Sequence, residues 1–437
     1  MANRVEPRIL SGFLELLPED QCILDWMKNT IEKTYQKYGF VSVETPIIEY
    51  SEVLLAKAGG ETEKQIYRFN KGDNDLSLRF DHTVPLARYV AKNYPYLIFP
   101  FKRYSIGKVF RGERPQKGRF REFYQCDIDV IGNEVLDLSY DAELPLVIYD
   151  TFTSLGFDKI TINLNNRKIL NGLFNELNLT NVKDDVLRLI DKLDKIGYEN
   201  FILSLKDYIN DEEVIESLIK FLNINGSAKE ILSQLRNLNY QDETFNLGIE
   251  ELETVINKMN ALGLNEENYA INLKIARGLD YYTGTIYETF LDDYKELGSV
   301  CSGGRYNDLA SYYTDKLLPG VGISIGLTRL YSKLKELNFY DNSKKSNSKV
   351  MIIALDGGEN EALSLSSKLR KENINVEMPH LLNKGMKQKM QYANRLGIPY
   401  VIIIGEDEVK NNVYALKDMI KGEQELLTYS QVLERLK

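Results

Sequence analysis

The stretch from residue 102 to 121 constrains the chain most. It holds eight lysines and arginines (Lys102, Arg103, Lys108, Arg111, Arg114, Lys117, Arg119 and Arg121) against one acid, Glu113, inside a chain whose formal charge is −9. Gly112, Pro115 and Gly118 are turn formers, so the middle of the stretch is predicted to be a loop. A strand over 101–110 should lead into it and a second strand over 123–130 should return. Arginines on such a hairpin suit a polyphosphate, because guanidinium is always charged and donates in a rigid fork. By composition alone a charge run of this kind is usually a solvated face. The returning strand bears on that choice. Alternation places Phe123, Gln125, Asp127 and Asp129 on one face. An amide and two acids on a buried strand face are costly without a ligand.

The 437 residues suggest about three domains. Hydrophobic residues are 43% and charged residues 27%, which excludes a wholly disordered chain. With 55 Lys+Arg against 64 Asp+Glu, binding nucleic acid by bulk positive charge is excluded, and only a local basic patch could do it. Cys22, Cys126 and Cys301 are too far apart for a metal-ligand pair or a disulfide framework, and fit a reducing compartment. His82 and His380 are the only histidines, so a multi-histidine metal site is excluded. Residues 1–7 are polar, so no secretory signal is expected, and no apolar run approaches the ~18 residues of a membrane span.

Along the chain, residues 18–39 are predicted to form an amphipathic helix. Ile23, Met27, Ile31 and Tyr35 recur at helical spacing, Pro18 suits a first turn and Gly39 a stop. A strand follows at 40–43, then one at 76–80 and a helix at 84–92. From 184 to 264 the chain is rich in Leu, Ile, Lys, Asp and Asn. Val186, Ile190 and Leu193 share one helical face, as do Val214, Leu218 and Leu222, which predicts an all-helical insert. Strand signals return at 283–290 and 320–325. Residues 340–349 (YDNSKKSNSK) are a linker by composition. Beyond them, strands at 350–355, 374–378 and 400–404 alternate with helices, one running through Leu363 and Leu369 and one at 386–396. That pattern predicts an α/β unit of about 90 residues.

Three further segments could carry chemistry. Arg277-Gly278-Leu279-Asp280-Tyr281-Tyr282-Thr283-Gly284 is either a turn with two core tyrosines or a dense hydrogen-bonding loop. Ser302-Gly303-Gly304-Arg305-Tyr306 reads as a Gly-Gly turn where backbone could approach a ligand. Residues 319–330 read as a glycine-punctuated strand running into a helix that begins near Arg329. No Walker lysine and no G-x-G-x-x-G fingerprint is present, so a nucleotide here would have to be held by arginines.

Taken in order, these segments resemble the class II aminoacyl-tRNA synthetases, and among them the histidyl-tRNA synthetase family, over essentially the whole length. Residues 18–46 are similar to motif 1, 110–132 to motif 2 and 320–330 to motif 3. Residues 277–284 resemble the histidine-specific signature, and Phe123-Tyr124-Gln125-Cys126-Asp127 is close to the family pattern. Gly405-Glu406-Asp407-Glu408 and Leu416-Lys417-Asp418-Met419 resemble the family's anticodon-binding domain. The resemblance implies an α+β catalytic domain built on an antiparallel sheet over 1–339, with a helical insertion at about 166–264. It also implies a linker at 340–348 and a C-terminal α/β anticodon-binding domain over 349–437. It implies a cytoplasmic homodimer, with no membrane partner, that joins L-histidine to tRNA(His) at the expense of ATP with Mg²⁺.

The resemblance also implies roles. Arg111 would hold the ATP α-phosphate, Glu113 the adenine amino group and Arg119 the outer phosphates. Phe123 and Arg329 would sandwich the adenine. Asp81, Thr83 and Gln125 would bind the α-amino end of histidine, while Asp129 and Tyr282, with Tyr281 beside them, would read the imidazole. Arg277 would bridge the substrate carboxylate and the α-phosphate and, with Arg111, carry the catalysis. Arg114 and Gln116 in the motif 2 loop would meet the tRNA's extra 5′ guanosine. His82 reads as structural. One departure is Ser11-Gly12-Phe13-Leu14-Glu15-Leu16-Leu17-Pro18, where the family has a Gly-Thr-x-Asp element before its Leu-Pro. The rival is a histidine-sensing paralogue, the regulatory subunit of ATP phosphoribosyltransferase. That class erodes the ATP arginines and lacks the anticodon-binding domain, whereas this chain keeps Arg111, Arg119, Arg277 and Arg329.

Overall fold

The computed structural model describes residues 4–56, 61–114, 118–275, 282–340, 345–379 and 384–437. They form two compact units, one of residues 1–14 and 27–333 and one of residues 15–26 and 334–437.

The first unit is built on one large sheet. Its strands are β1 (Val41–Ser42), β2 (Phe101–Phe110), β3 (Glu122–Ile131), β4 (Ile160–Asn166), β5 (Tyr269–Ile271), β6 (Thr285–Leu291), β7 (Cys301–Tyr306) and β8 (Gly320–Ile325). They lie side by side in the order β1-β2-β3-β8-β7-β6-β4-β5. The inner six are antiparallel to their neighbours. The short edge strands β1 and β5 pair in parallel. The predicted hairpin is present as β2 and β3, in register from Phe101↔Ile131 to Phe110↔Glu122. In the helix Pro18–Lys37, Met27, Ile31 and Tyr35 are fully buried, and the Tyr35 hydroxyl donates to the Cys126 carbonyl of β3 at 3.1 Å. The period of the apolar residues thus places that helix face against the sheet.

The insert consists of six α-helices, from Arg167–Glu176 to Glu243–Ala261. Val186, Ile190 and Leu193 are buried as their spacing predicts. In the helix Glu212–Leu222 the buried face is centred one residue later than expected: Ile215, Leu218, Phe221 and Leu222 are buried, while Val214 is half-buried. One predicted turn is a strand. Gly303 and Gly304 lie in the middle of β7, paired with β6 and β8 on either side. A Cβ at Gly303 would stand 2.1 Å from the Gly322 carbonyl, so the glycine serves close strand approach rather than a turn.

The second unit has a five-stranded sheet in the order Val376–Glu377, Val350–Ala354, Tyr400–Ile404, Tyr414–Asp418, Gln424–Leu427. The first three are parallel and the last two join antiparallel. Val350, Ile352, Ile402 and Ile404 pack on one side, and Met351, Ile353 and Val401 on the other. Both faces are covered, which is why these strands read as unbroken apolar runs.

Candidate active site

A cavity of about 460 Å³ opens on the β3–β8 face of the large sheet. Strand β3 lays out its axis. Phe123, Gln125, Asp127 and Asp129 all line it, as alternation predicts, and the first and last are about 20 Å apart at about 3.4 Å per residue. The two ends differ chemically.

The Phe123 end lies beside the hairpin loop. Arg111, Glu113 and Arg119 line it. The Arg111 guanidinium stands 4.4 Å from the Phe80 ring centroid and 5.2 Å from that of Phe123, and its Nε donates to the Phe80 carbonyl at 3.3 Å. Arg119 faces Glu113 at 3.4 Å. The helix Leu327–Glu336 follows β8 and starts at this end, because β8 runs antiparallel to β3. Its first turn brings Arg329 into the lining, and the Thr328 hydroxyl accepts from the Tyr124 amide at 2.8 Å.

The other end is acidic. Asp129 accepts from the Tyr306 hydroxyl at 2.6 Å and pairs with the buried Arg103 guanidinium at 2.7 Å. Asp127 accepts from the Ser324 hydroxyl at 2.5 Å, and Ser324 accepts from Gln125 Nε2 at 3.0 Å. Asp81 Oδ1 accepts from the amides of Thr83 and Val84 at 3.1 and 3.0 Å, which starts the helix Thr83–Asn93 and seats both Asp81 and Thr83 in the lining. Burial pushes all three carboxyl groups up, Asp127 to about 7. Burial, with the charges of Arg103 and Arg79, pushes His82 down to about 3. Its ring lies 3.2 Å from the Gly107 carbonyl and 3.4 Å from the Ser105 hydroxyl. A cavity with three carboxyl groups resisting ionisation favours a cationic ligand, whose charge would offset their desolvation.

Of the residues expected at a site, the cavity gathers Asp81, Thr83, Arg111, Glu113, Arg119, Phe123, Gln125, Asp129, Tyr282 and Arg329. Arg114 is exposed and not in the lining. Arg277, Tyr281 and Gln116 lie outside the described residues. The basic stretch is not a single patch. Lys102 pairs with Glu143 at 2.7 Å, Lys108 with Glu122 at 2.6 Å, and Arg121 donates to the Glu113 carbonyl at 3.0 Å. Arg103 is buried with Asp129. Strand alternation and the loop disperse these cations, and among the described residues of the stretch Arg111 and Arg119 are the only cations that reach the lining. Sequence reasoning gave Arg103, Tyr306 and Ser324 no site role. The one visible signal was the Gly320-Gly322-Ser324 alternation, which leaves Ser324 as the polar position on that face.

A second cavity of about 740 Å³ adjoins the first and shares Arg119, Ser299 and Arg329 with it. Its outer wall comes from the helical insert, through Ile190, Asp191, Lys195 and Asn223.

Comparison with known proteins agrees along the whole chain. The family model described as histidyl-tRNA synthetase matches residues 12–330, and one described as an anticodon binding domain matches 349–437. The histidine--tRNA ligase of Clostridium tetani is 50% identical over 99% of this chain and 98% of its own, and that of Finegoldia magna is 48% identical over 99% and 100%. The crystal structure of histidyl-tRNA synthetase from Nostoc sp. PCC 7120 superimposes with a TM-score of 0.92 at 38% identity, covering 99% of both chains. An antiparallel sheet carrying this cavity, two family models and full-length relatives all agree: the chain belongs to the histidyl-tRNA synthetase family.

Proposed function

We propose that this chain activates L-histidine with ATP to give histidyl-adenylate and pyrophosphate, then transfers histidine to the 3′ end of tRNA(His) and releases AMP. The observation that carries the reading is the single cavity with an acidic end and an arginine-and-aromatic end on one strand. An amino acid has a cationic end and an anionic end, and ATP is a polyanion with a flat base. Docked in line along β3, the two meet carboxylate to α-phosphate.

In this reading Asp81, Thr83 and Gln125 take the α-ammonium group. Asp129 and Tyr282, with Tyr281, read the imidazole, which as a neutral ring offers one donor and one acceptor. Phe123 and Arg329 stack on the adenine, Glu113 accepts from its amino group, and Arg119 reaches the outer phosphates. Histidine's own carboxylate is ionised at neutral pH and needs no general base. It attacks the α-phosphorus, the bond to the bridging oxygen breaks, and pyrophosphate leaves. Arg111 and Arg277 contribute by position and fixed charge where the phosphoryl oxygens gain charge. Mg²⁺ enters with the nucleotide as part of the substrate. Among the described residues no three His, Cys, Asp or Glu side chains are grouped so as to hold a metal ion.

In the second step a hydroxyl of the terminal adenosine attacks the adenylate carbonyl and AMP leaves. The adjoining cavity under the helical insert suits entry of that strand end, with Arg114 and Gln116 meeting the tRNA from the motif 2 loop. The domain reading belongs to the same proposal, with catalysis in 1–339, a linker at 340–348 and anticodon binding in 349–437. So does a homodimer. Exposed Val41 on the edge strand β1, with exposed Ile48 and Tyr50 a few residues on in the chain, supports it. Among the described residues no helix is long and apolar enough to cross a membrane.

The test is histidine-dependent exchange of pyrophosphate into ATP, run across several amino acids. Exchange with histidine alone is the expected result. Histidine binding without exchange would instead identify a sensor. The named relatives at 50% and 48% identity and the matched anticodon-binding segment favour the ligase.

A further inference from the structure

Three side chains on the acidic wall of the cavity form a directed chain of hydrogen bonds. Ser324 stands opposite Asp127 in the β3–β8 register. Its hydroxyl donates to Asp127 Oδ1 at 2.5 Å and accepts from Gln125 Nε2 at 3.0 Å. The direction follows from the groups. Ser324 Oγ is the donor to Asp127 Oδ1, so the single serine proton is committed there. Only serine lone pairs then face Gln125, and a primary amide can meet them only with its NH₂. The amide carbonyl is thereby turned the other way. Gln125 Oε1 is buried and has no hydrogen-bond partner among the described residues. A buried carbonyl without a donor is costly and rare, so this oxygen marks the place of a donor brought by a ligand.

We propose that Asp127 and Ser324 are positioning residues that fix the orientation of the Gln125 side-chain amide, so that its carbonyl oxygen accepts a hydrogen bond from the substrate's α-ammonium group. The proposal rests on the histidine-activating reading and adds two residues to it. They act through Gln125, whose amide could otherwise turn over at little cost and present NH₂ to an ammonium ion. Asp127 is 3% exposed, and its pairing with Ser324 gives this acid a role that packing does not. A structural acid on a strand face would be replaced without loss by an apolar residue of its size. Here the carboxylate sets the polarity of a chain that ends in the cavity.

The proposal is tested by removing the relay and comparing ligands with and without the amine. The probes are histidinol, which keeps the α-amino group and lacks the carboxylate, and imidazolepropionic acid, which keeps the carboxylate and lacks the amine. Each competes against histidine in the pyrophosphate-exchange assay with the full-length chain. Ser324→Ala is expected to raise the inhibition constant of histidinol about tenfold, the weight of one charge-assisted hydrogen bond, and to leave imidazolepropionic acid unmoved. Asp127→Asn frees the serine proton and should move histidinol in the same direction. The double variant should be no worse than Ser324→Ala alone, because the residues act as one unit. Ser324→Thr keeps the hydroxyl and should restore histidinol binding. Equal weakening of both probes, or no change in either, would overturn the proposal. If Ser324→Ala does not fold, Asp127→Asn against the two probes decides the matter by the same criterion. Failure of the histidine reading is distinguishable, because the unaltered chain would then show no histidine-dependent exchange.

Discussion

The cavity floor can be tested at Gly322, where one methyl group would act on both the fold and the site. Gly322 pairs with Asp129 across β3 and β8 and with Gly304 across β7 and β8. A Cβ built there would lie 2.3 Å from Asp129 Oδ1 and 2.5 Å from the Ile128 carbonyl. Ordinary carbon–oxygen contacts start a little above 3 Å, so the carboxylate must retreat by about 1 Å. Its two partners are already at optimal range, Tyr306 at 2.6 Å and Arg103 at 2.7 Å. A 1 Å retreat lengthens at least one of these beyond hydrogen-bonding distance. The Ile128 carbonyl is backbone and can yield only by distorting the strand pair. Overpacking costs about 1–3 kcal/mol and a lost charge-assisted bond about 1.5–3, so Gly322→Ala should destabilise the first unit by about 2.5–6 kcal/mol. The Michaelis constant for histidine should rise in parallel, because Asp129 is displaced. Gly326→Ala is the control. A Cβ at Gly326 meets nothing within 4 Å, and the change should stay within about 1 kcal/mol. Urea unfolding followed by circular dichroism gives the stabilities. Equal midpoints for the two variants would refute the argument that Gly322 is required by the Asp129 carboxylate.

Four further outcomes follow, the first from the role proposed for Arg277 and the others from the geometry. Arg277→His should lower the rate of adenylate formation by about 10²–10³ while histidine binding changes far less, measured by single-turnover kinetics beside equilibrium binding; a near-normal rate would remove Arg277 from the transition state. Asp141→Asn should cost about 3–5 kcal/mol in urea unfolding, because the fully buried Asp141 accepts from Arg305 Nε at 3.0 Å and its loss leaves a buried guanidinium unpaired. Lys258→Ala, which breaks an exposed 3.4 Å contact with Asp137 and a 2.7 Å bond to the Ser139 hydroxyl, should cost under about 1 kcal/mol. Stability should also carry two opposed pH limbs. His82 is held at about 3 against an ordinary 6.5, so the unfolded chain takes up the proton first and stability rises as pH climbs between those values. Asp127 is raised to about 7 against an ordinary 3.8, so the folded chain keeps its proton longer and stability falls as pH climbs between those values. Asp127→Asn should therefore gain on the unaltered chain as pH rises from about 4 to 7, and parallel profiles of unfolding midpoint against pH would contradict this.

How much of this was legible in the sequence depended on the range of each interaction. The strand over 101–110 could be read from its apolar residues and the Gly112, Pro115 and Gly118 punctuation, and it has the expected bounds. The strand over 320–325 and its helix were legible for the same local reason. Gly303 and Gly304 were misread as a turn because a glycine pair signals one locally. Their actual requirement, the Gly322 carbonyl at 2.1 Å from a Cβ on Gly303, belongs to a neighbouring strand. The face containing Gln125, Asp127 and Asp129 was legible because alternation along one strand is local.

What was not legible was which residues answer those acids, and register accounts for it. Once Phe110 pairs with Glu122, the antiparallel rule leaves Arg103 no position but opposite Asp129. Arg103 then ceases to be one of eight cations on a binding face and becomes the buried counter-charge of the acidic end. In the same way, once Cys126 pairs with Ile325, Ser324 must face Asp127 and Gly322 must lie under Asp129. A single wrong register in either pair would have put Arg103 and Ser324 on the opposite face and left Asp127 and Asp129 buried without donors, at a cost no nearby residue could offset. The buried acids and their distant partners therefore select the register, and the register aligns the cavity. This is why the site residues on β3 could be named from their own strand, whereas Arg103, Tyr306 and Ser324 emerge only when the strands are laid side by side.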